Sequence, residues 1–333
     1  MLRKHWLRHL RKANFARNAV RLAVASLAIL AIVAPANAAI IVHDTWRDGT
    51  DTDPASPTYS ENGTDTDLDG NKESAWFQGG TGTLDPVGAG GPLRGNLGAG
   101  GTSSATWTTY FTPEGSEINL ANDGDSIKVT WIFTPTTIGG TNTSQNFRFG
   151  VVDTVVGVGS TRAVANGSLP GAAYTGYAVW GNMAPTLGNA NPFQLRERTL
   201  MTPGNLFNTT GDFGGVLGNG ATTGNAGYVS GTEYKMTWVM TRNGAGLDID
   251  VRMAGGNLDG DGLARVALND ASANGGSFKF DTFGIRPSGA TTTAELFDTK
   301  LFRVQTYHIP EPATMILLGL GGAALAMLRR RGC

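Results

Sequence analysis

Asp65, Asp67 and Asp69 stand at alternate positions and run straight into Gly70. Oxygens at that spacing converge on one hard cation, and the glycine permits the tight turn the chain must make around it. Calcium is the candidate ion. At the twelfth position, where a helix-flanked calcium loop carries a bidentate glutamate, stands Trp76, so Glu73 is the substitute ligand. Asn257, Asp259 and Asp261 repeat the pattern more loosely, with Gly262 behind them and Leu268 at the twelfth position. The competing reading of both segments is a solvated acidic turn, because Asp, Asn and Gly favour turns by themselves.

Catalytic chemistry is harder to assemble. A glycosidase needs two carboxyl groups about 5–5.5 Å apart for retention, or farther for inversion. Asp248 and Asp250 share one strand face, but no glutamate accompanies them. Between residues 39 and 308 the chain has two histidines, His43 and His308, and no cysteine; Cys333 is the last residue. Disulfides, thiolate metal sites and a cysteine nucleophile are therefore excluded from that body, and a Ser-His-Asp triad has little to draw on. Tryptophans can stack on sugar rings. Trp131 and Trp238 fall on regular apolar faces and read as core. Trp76 and Trp107 lie near loop-rich segments and are the candidate sugar contacts.

The elements that must position these groups read as strands. Ile40–Trp46 is a first strand, followed by a polar, turn-rich loop over 47–75. Residues 79–105 are glycine-rich, with Gly90-Gly91-Pro92 and Gly100-Gly101 breaking regular structure. Ile127, Val129, Trp131 and Phe133 alternate with polar residues, as do Phe147, Phe149 and Val151, and Tyr174–Trp180 is a further strand. Tyr234, Met236, Trp238 and Met240 run into an Asn243-Gly244 step, and Leu247, Ile249, Val251 and Met253 answer them: a hairpin over 234–253. Phe278–Ile285 and Leu301–Tyr307 complete the set. With 48 glycines and few charged residues, the chain reads as all-β: a jelly-roll-type β-sandwich with long Gly/Asp/Thr-rich loops.

Both ends read differently. Seven basic residues in 1–21 precede the apolar stretch Leu22–Val33, and Ala36-Asn37-Ala38 supplies a cleavage site before Ala39. That is a secretory signal helix over 1–38, handled by the secretion translocon and signal peptidase. At the other end, Pro310, Glu311 and Pro312 precede an uncharged run over 313–328, closed by Arg329, Arg330 and Arg331. As a helix the run reaches about 24 Å at ~1.5 Å per residue, slightly short of a ~30 Å bilayer core. The arginines hold its end on the cytoplasmic side and leave the body outside. The signal holds seven and the tail three of the 26 Lys and Arg, whereas Glu311 is the one acid outside 39–308, so the body carries −10 rather than −1. Nucleic acid is not an expected partner for that charge.

The tail resembles the PEP-CTERM sorting signal of Gram-negative exported proteins. The resemblance implies that exosortase, an integral-membrane cysteine transpeptidase, recognises Pro310, Glu311 and Pro312. The body resembles concanavalin A-like lectin/glucanase sandwiches, through Asp44-Thr45-Trp46 at its start, the 234–253 hairpin and Phe297-Asp298 before the last strand. That resemblance implies that the first and last strands are neighbours in one sheet. It also marks an absence: the Glu-x-Asp-x-x-Glu strand of the related glucanases is missing. Gln194-Leu195-Arg196-Glu197-Arg198 resembles an alginate-lyase strand, but the companion His and Tyr motifs are missing and a structural ion pair is expected.

The expected organisation is thus a signal peptide (1–38), one sandwich domain (39–308) and a sorting tail (309–333). The expected function is that of an exported, non-catalytic envelope or matrix protein, held for a time in the inner membrane by its C-terminal helix. It would bind calcium or an extracellular polysaccharide. The alternatives are a polysaccharide-degrading hydrolase or lyase on the same fold, and a purely structural surface protein.

Overall fold

The structure is a computed structural model. It describes residues 37–52, 60–113, 115–140, 143–154, 162–163, 165–167, 171–198, 204–207, 213–273 and 278–308. The signal helix and the C-terminal membrane helix expected from the sequence lie outside these residues. No helix among the described residues is long and apolar enough to cross a membrane. Ala38–Tyr307 forms one compact unit.

That unit is built from strands: β1 (Asn37–Asp44), β2 (Trp76–Gly80), β3 (Thr83–Pro86), β4 (Leu93–Asn96), β5 (Ala105–Tyr110), β6 (Ile118–Asn119), β7 (Ser126–Ile138), β8 (Phe147–Thr154), β9 (Gly171–Ala172) and β10 (Tyr174–Gly181). There follow β11 (Phe193–Arg198), β12 (Gly204–Asn205), β13 (Phe213–Asn219), β14 (Tyr234–Asn243), β15 (Gly246–Ala254), β16 (Leu263–Asp270), β17 (Lys279–Phe280), β18 (Thr282–Pro287) and β19 (Ala294–His308). One sheet runs β16-β15-β14-β7-β19-β4-β3, with β1 also paired to β19; the other runs β13-β11-β10-β8-β18-β5-β2. The first and last strands are neighbours, as the lectin-like resemblance implies.

Two faces of alternating apolar side chains meet between the sheets. Ile127, Val129, Trp131 and Phe133 of β7, with Trp238 of β14 and Val251 of β15, face Phe147 and Phe149 of β8, Val179 of β10 and Phe283 of β18. Aromatic rings fill the gap: Trp131 stacks on Phe133 at 3.8 Å and tilts against Phe283 at 6.0 Å. The Trp131 indole N–H donates to Thr299 Oγ1 at 3.0 Å, so burying this ring strands no polar atom. The expected hairpin is β14–β15, closed by the Asn243–Gly246 pair with Gly244 at φ 62°.

Three expectations about elements are corrected. The glycine-rich stretch 79–105 carries β3 and β4, and Gly90-Gly91-Pro92 forms the turn between them rather than breaking the sheet. The strand expected over 278–285 is two: β17 pairs with β6 in a small side sheet, and β18 enters the main sheet. The last strand begins at Ala294, not Leu301, and is bulged between Thr299 and Leu301. Before the bulge Phe297 and Thr299 point inward; after it Phe302, Val304 and Thr306 do. The extra residue shifts the period of two by one place, which hides the N-terminal half from a reading of alternation.

Candidate metal centre

Residues 60–74, between β1 and β2, fold back on themselves beside β1. Ser60 and Ser74 form a bridge at its neck, and the Glu61 N–H donates to the Glu73 carbonyl at 3.2 Å. Gly63 N–H donates to Ile41 O at 2.9 Å, while His43 and Lys72 exchange both backbone bonds, at 2.7 and 3.1 Å. The tip needs left-handed backbone: Leu68 sits at φ 67° and Gly70 at φ 92°. Gly70 thus fills the role its place in the motif requires.

This turn holds two groups of three carboxylates that overlap at one residue. One oxygen each from Asp65, Asp67 and Asp69 lies within 4.8 Å of the others, and so does one each from Glu61, Asp67 and Glu73. Asp67 belongs to both groups. Part of the oxygen set is spent on the loop itself. Asp65 Oδ2 accepts from Gly70 N–H at 3.0 Å, Asp69 Oδ1 from Asn71 N–H at 2.6 Å, and Glu61 Oε2 from Glu73 N–H at 2.9 Å. Asp65 Oδ1, Asp69 Oδ2 and Glu73 Oε2 are buried and have no hydrogen-bond partner among the described residues. Glu73 as a whole is 3% exposed. Burial, and then the charges of Asp44, Asp48, Asp69 and Asp67, push its carboxyl up to about 9.

A buried carboxylate oxygen without a donor costs free energy unless a cation meets it. The residues present fit one. The donors are all oxygen, which suits calcium or magnesium rather than zinc or copper. Carboxylates at irregular spacing on a loop suit the looser coordination of calcium. Of the residues expected, Asp65, Asp67 and Asp69 lie together, while Glu73 lies with Asp67 and Glu61. Glu61 was not expected: nothing in the spacing points to a residue four before Asp65, and the Ser60–Ser74 bridge is what brings it in.

The second acidic segment is a correction. Asp259, 1% exposed and at φ 58°, spends both carboxylate oxygens on the chain, accepting from Thr223 N–H at 3.0 Å and Gly224 N–H at 3.2 Å. Asp261 Oδ1 accepts from Leu263 N–H at 3.0 Å. The segment is a 3-10 turn at Leu258–Gly260 that clamps the 223–226 strip, and Asp259 is spent on that clamp rather than left for an ion. The tryptophans are a second correction. Trp76 and Trp107 are each 2% exposed, Trp76 edge-on to Phe302 at 5.1 Å and Trp107 edge-on to Phe297 at 5.3 Å. Strands β2 and β5, which the sequence reading did not assign, turn both rings into the core, and no ring face is left for a sugar.

Asp248 and Asp250 lie on the exposed face of β15. Asp250 pairs with Arg252 and Arg265, and Asp248 accepts from Asn243 and Asn269. The cleavage residue Ala36 and the sorting residues Pro310, Glu311, Pro312, Arg329, Arg330 and Arg331 lie outside the described residues; Ala38 and Ala39 are in β1.

Comparison with known proteins adds the end of the chain to this picture. Residues 308–331 match the PEP-CTERM protein-sorting motif. The motif implies an exported, envelope-associated protein that exosortase processes. No curated protein is similar to the chain in sequence. Similar solved structures include concanavalin A-like sandwiches. Arcelin-5, a lectin-like defense protein from Phaseolus vulgaris, shares 12% identity over 70% of this chain and 93% of its own, at a TM-score of 0.39. The Emp47p carbohydrate recognition domain shares 12% over 76% and 97%, at 0.40. The CBM2 module of the Dit protein of Lactobacillus casei BL23 phage J-1 shares 12% over 84% and 100%, at 0.39.

Proposed function

We propose that this is an exported, exosortase-sorted, non-catalytic surface protein whose acidic loop takes one calcium ion and so ties β1 to the sandwich. The observation that carries the reading is Glu73: a carboxyl 3% exposed, with Oε2 lacking a donor among the described residues, grouped with Glu61 and with Asp67, which also belongs to the Asp65–Asp67–Asp69 group. Asp65, Asp67 and Asp69 would hold the ion from the tip of the loop and Glu73 from its neck, while Glu61, whose two oxygens accept from Thr66 and from Glu73 N–H, would brace that neck. The ion would neutralise a cluster that otherwise repels itself, and would hold the loop shut around Ile41 and His43. A non-catalytic role is supported by the state of Asp248 and Asp250, whose oxygens are engaged by arginine and asparagine side chains on an exposed hairpin.

Thermal unfolding with and without calcium tests this. Calcium at a hundred times its dissociation constant should stabilise the protein by about 2.7 kcal/mol and raise its melting temperature accordingly. Glu73→Gln should fold at least as well without metal and lose most of that rise. A melting temperature that ignores calcium, or a rise that survives in Glu73→Gln, would remove the site.

A further inference from the structure

The outer face of the first sheet gathers cations where β1 lies beside β19. Burial shows which way each residue turns. Val42 and Asp44 of β1, Phe302 and Val304 of β19, and Ile127 and Val129 of β7 are buried, as are Asn71 and Glu73 beside β1. The residues between them, His43, Arg303, Lys128 and Lys72, turn to the other side, and all four are half-buried. They stand on neighbouring segments. An isolated bridge sets Lys72 opposite His43, and Arg303 Nε donates to His43 Nδ1 at 2.7 Å. Register then places Arg303 opposite Thr130 and Gln305 opposite Lys128. Lys128 is thus a diagonal neighbour of Arg303, about 7–8 Å away along the sheet.

No acid answers this group. Asp298 pairs with Arg94, Asp250 with Arg252 and Arg265, and Glu233 with Lys300, so these acids on or beside the same sheet are taken up elsewhere. Among the described residues, Lys72 Nζ, Lys128 Nζ and the two Nη atoms of Arg303 make no hydrogen bond or ion pair. Arg47 adds a further charge nearby, and its Nη1 donates only to the neutral Asp69 carbonyl, at 2.7 Å. The Arg303 bond also fixes the imidazole. A guanidinium has no acceptor, so Nδ1 accepts and the neutral ring carries its proton on Nε2. Burial, then the charges of Arg303, Arg47 and Lys72, lowers His43 from its ordinary value and keeps the ring neutral at pH 7. Every side-chain polar atom left over in the four residues is therefore a donor.

We propose that His43, Lys72, Arg303 and Lys128 bind a phosphate group. A set that only donates calls for a ligand that only accepts, and an oxyanion is such a ligand. Phosphate brings three acceptor oxygens and between one and two negative charges to a group of uncancelled cations. A carboxylate is planar and singly charged, so one guanidinium edge satisfies it and the lysines are left unmatched. A neutral sugar fits worse, because its hydroxyls need acceptors as well as donors. The same donors suit free phosphate and a phosphate ester of glycerol, the chemistry of a lipid headgroup. The site shares no ligand with the metal centre and needs no calcium.

The test is calorimetric titration of the full chain in nonionic detergent, free of divalent cations, with sodium phosphate, glycerol 3-phosphate, sodium acetate and glycerol at matched ionic strength. Both phosphates should bind at one site, more weakly as salt rises, and acetate and glycerol should not. Equal affinity for the two phosphates assigns the free ion as sufficient; tighter binding of glycerol 3-phosphate assigns the ester. Arg303→Gln and Lys72→Gln should each weaken phosphate binding about tenfold. Lys72→Gln breaks no side-chain hydrogen bond or ion pair among the described residues, so it carries the comparison if Arg303→Gln fails to fold, as judged by near-ultraviolet circular dichroism. Absent binding of both phosphates, acetate bound as tightly as phosphate, or unchanged affinity in a folded Lys72→Gln protein would each overturn the proposal.

Discussion

At the scale of single residues, the acidic loop makes a statement about protons. With the Glu73 carboxyl pushed up to about 9, metal-free protein at neutral pH holds a proton there. The ion must displace it, so calcium binding should release about one proton, and apparent affinity should rise by up to tenfold per pH unit from the ordinary carboxylate range to about 9. The sign for stability is the reverse. A folded value above the unfolded one means that the folded, metal-free state binds more protons. Its contribution is therefore full below the unfolded value and is lost as pH rises towards 9. Calorimetry in buffers of different ionisation enthalpy checks this: calcium binding with no proton release at pH 7 contradicts it. Of the proposed ligands, Asp65, Asp67 and Asp69 stand out in the sequence because they sit within one turn-forming motif, with Glu73 just beyond it. Glu61 does not, because a strand bridge rather than sequence spacing brings it near. Asp259 misled for a related reason: its side chain answers to backbone N–H groups at 223 and 224, which no local pattern reveals.

Among the elements, the hairpin β14–β15 was legible because its alternation is unbroken and its turn holds Asn243-Gly244. Strands β3 and β4 were hidden by glycine, which here serves packing. A Cβ on Gly95 would stand 2.4 Å from the Trp107 ring, so the open side of β4 is what allows that ring to lie flat in the core. Gly95→Val should therefore destabilise the protein by about 1–3 kcal/mol through overpacking, read as a fall in the urea midpoint. Unchanged stability would mean that Trp107 does not pack on β4. The same glycine economy serves the outer face of the second sheet. A Cβ on Gly150 or Gly284 would meet Phe207 at 2.9 or 2.8 Å, so these positions let Leu206 and Phe207 cover the strands there. The cation group on the first sheet draws on β1, β7, β19 and residue 72. Its members are far apart in sequence and meet through strand order, which alternation alone does not give.

Over the whole molecule, the two ends and the body divide the work. The PEP-CTERM motif at 308–331 implies export and processing, and the acidic body between the ends holds the two candidate binding sites. Deleting 309–333 should move the protein from the envelope fraction into the medium, as fractionation and immunoblotting would register; unchanged partitioning would count against a sorting role for the tail. Outside the cell, where calcium is plentiful, the loop would close on its ion and secure β1, the strand that holds the expected cleavage site. The most direct measurement of that account is an anomalous difference map from crystals grown with calcium. It should show one strong peak bounded by Asp65, Asp67, Asp69 and Glu73, with oxygens about 2.3–2.6 Å away. A map without a peak there, at millimolar calcium and with the loop well ordered, would contradict it.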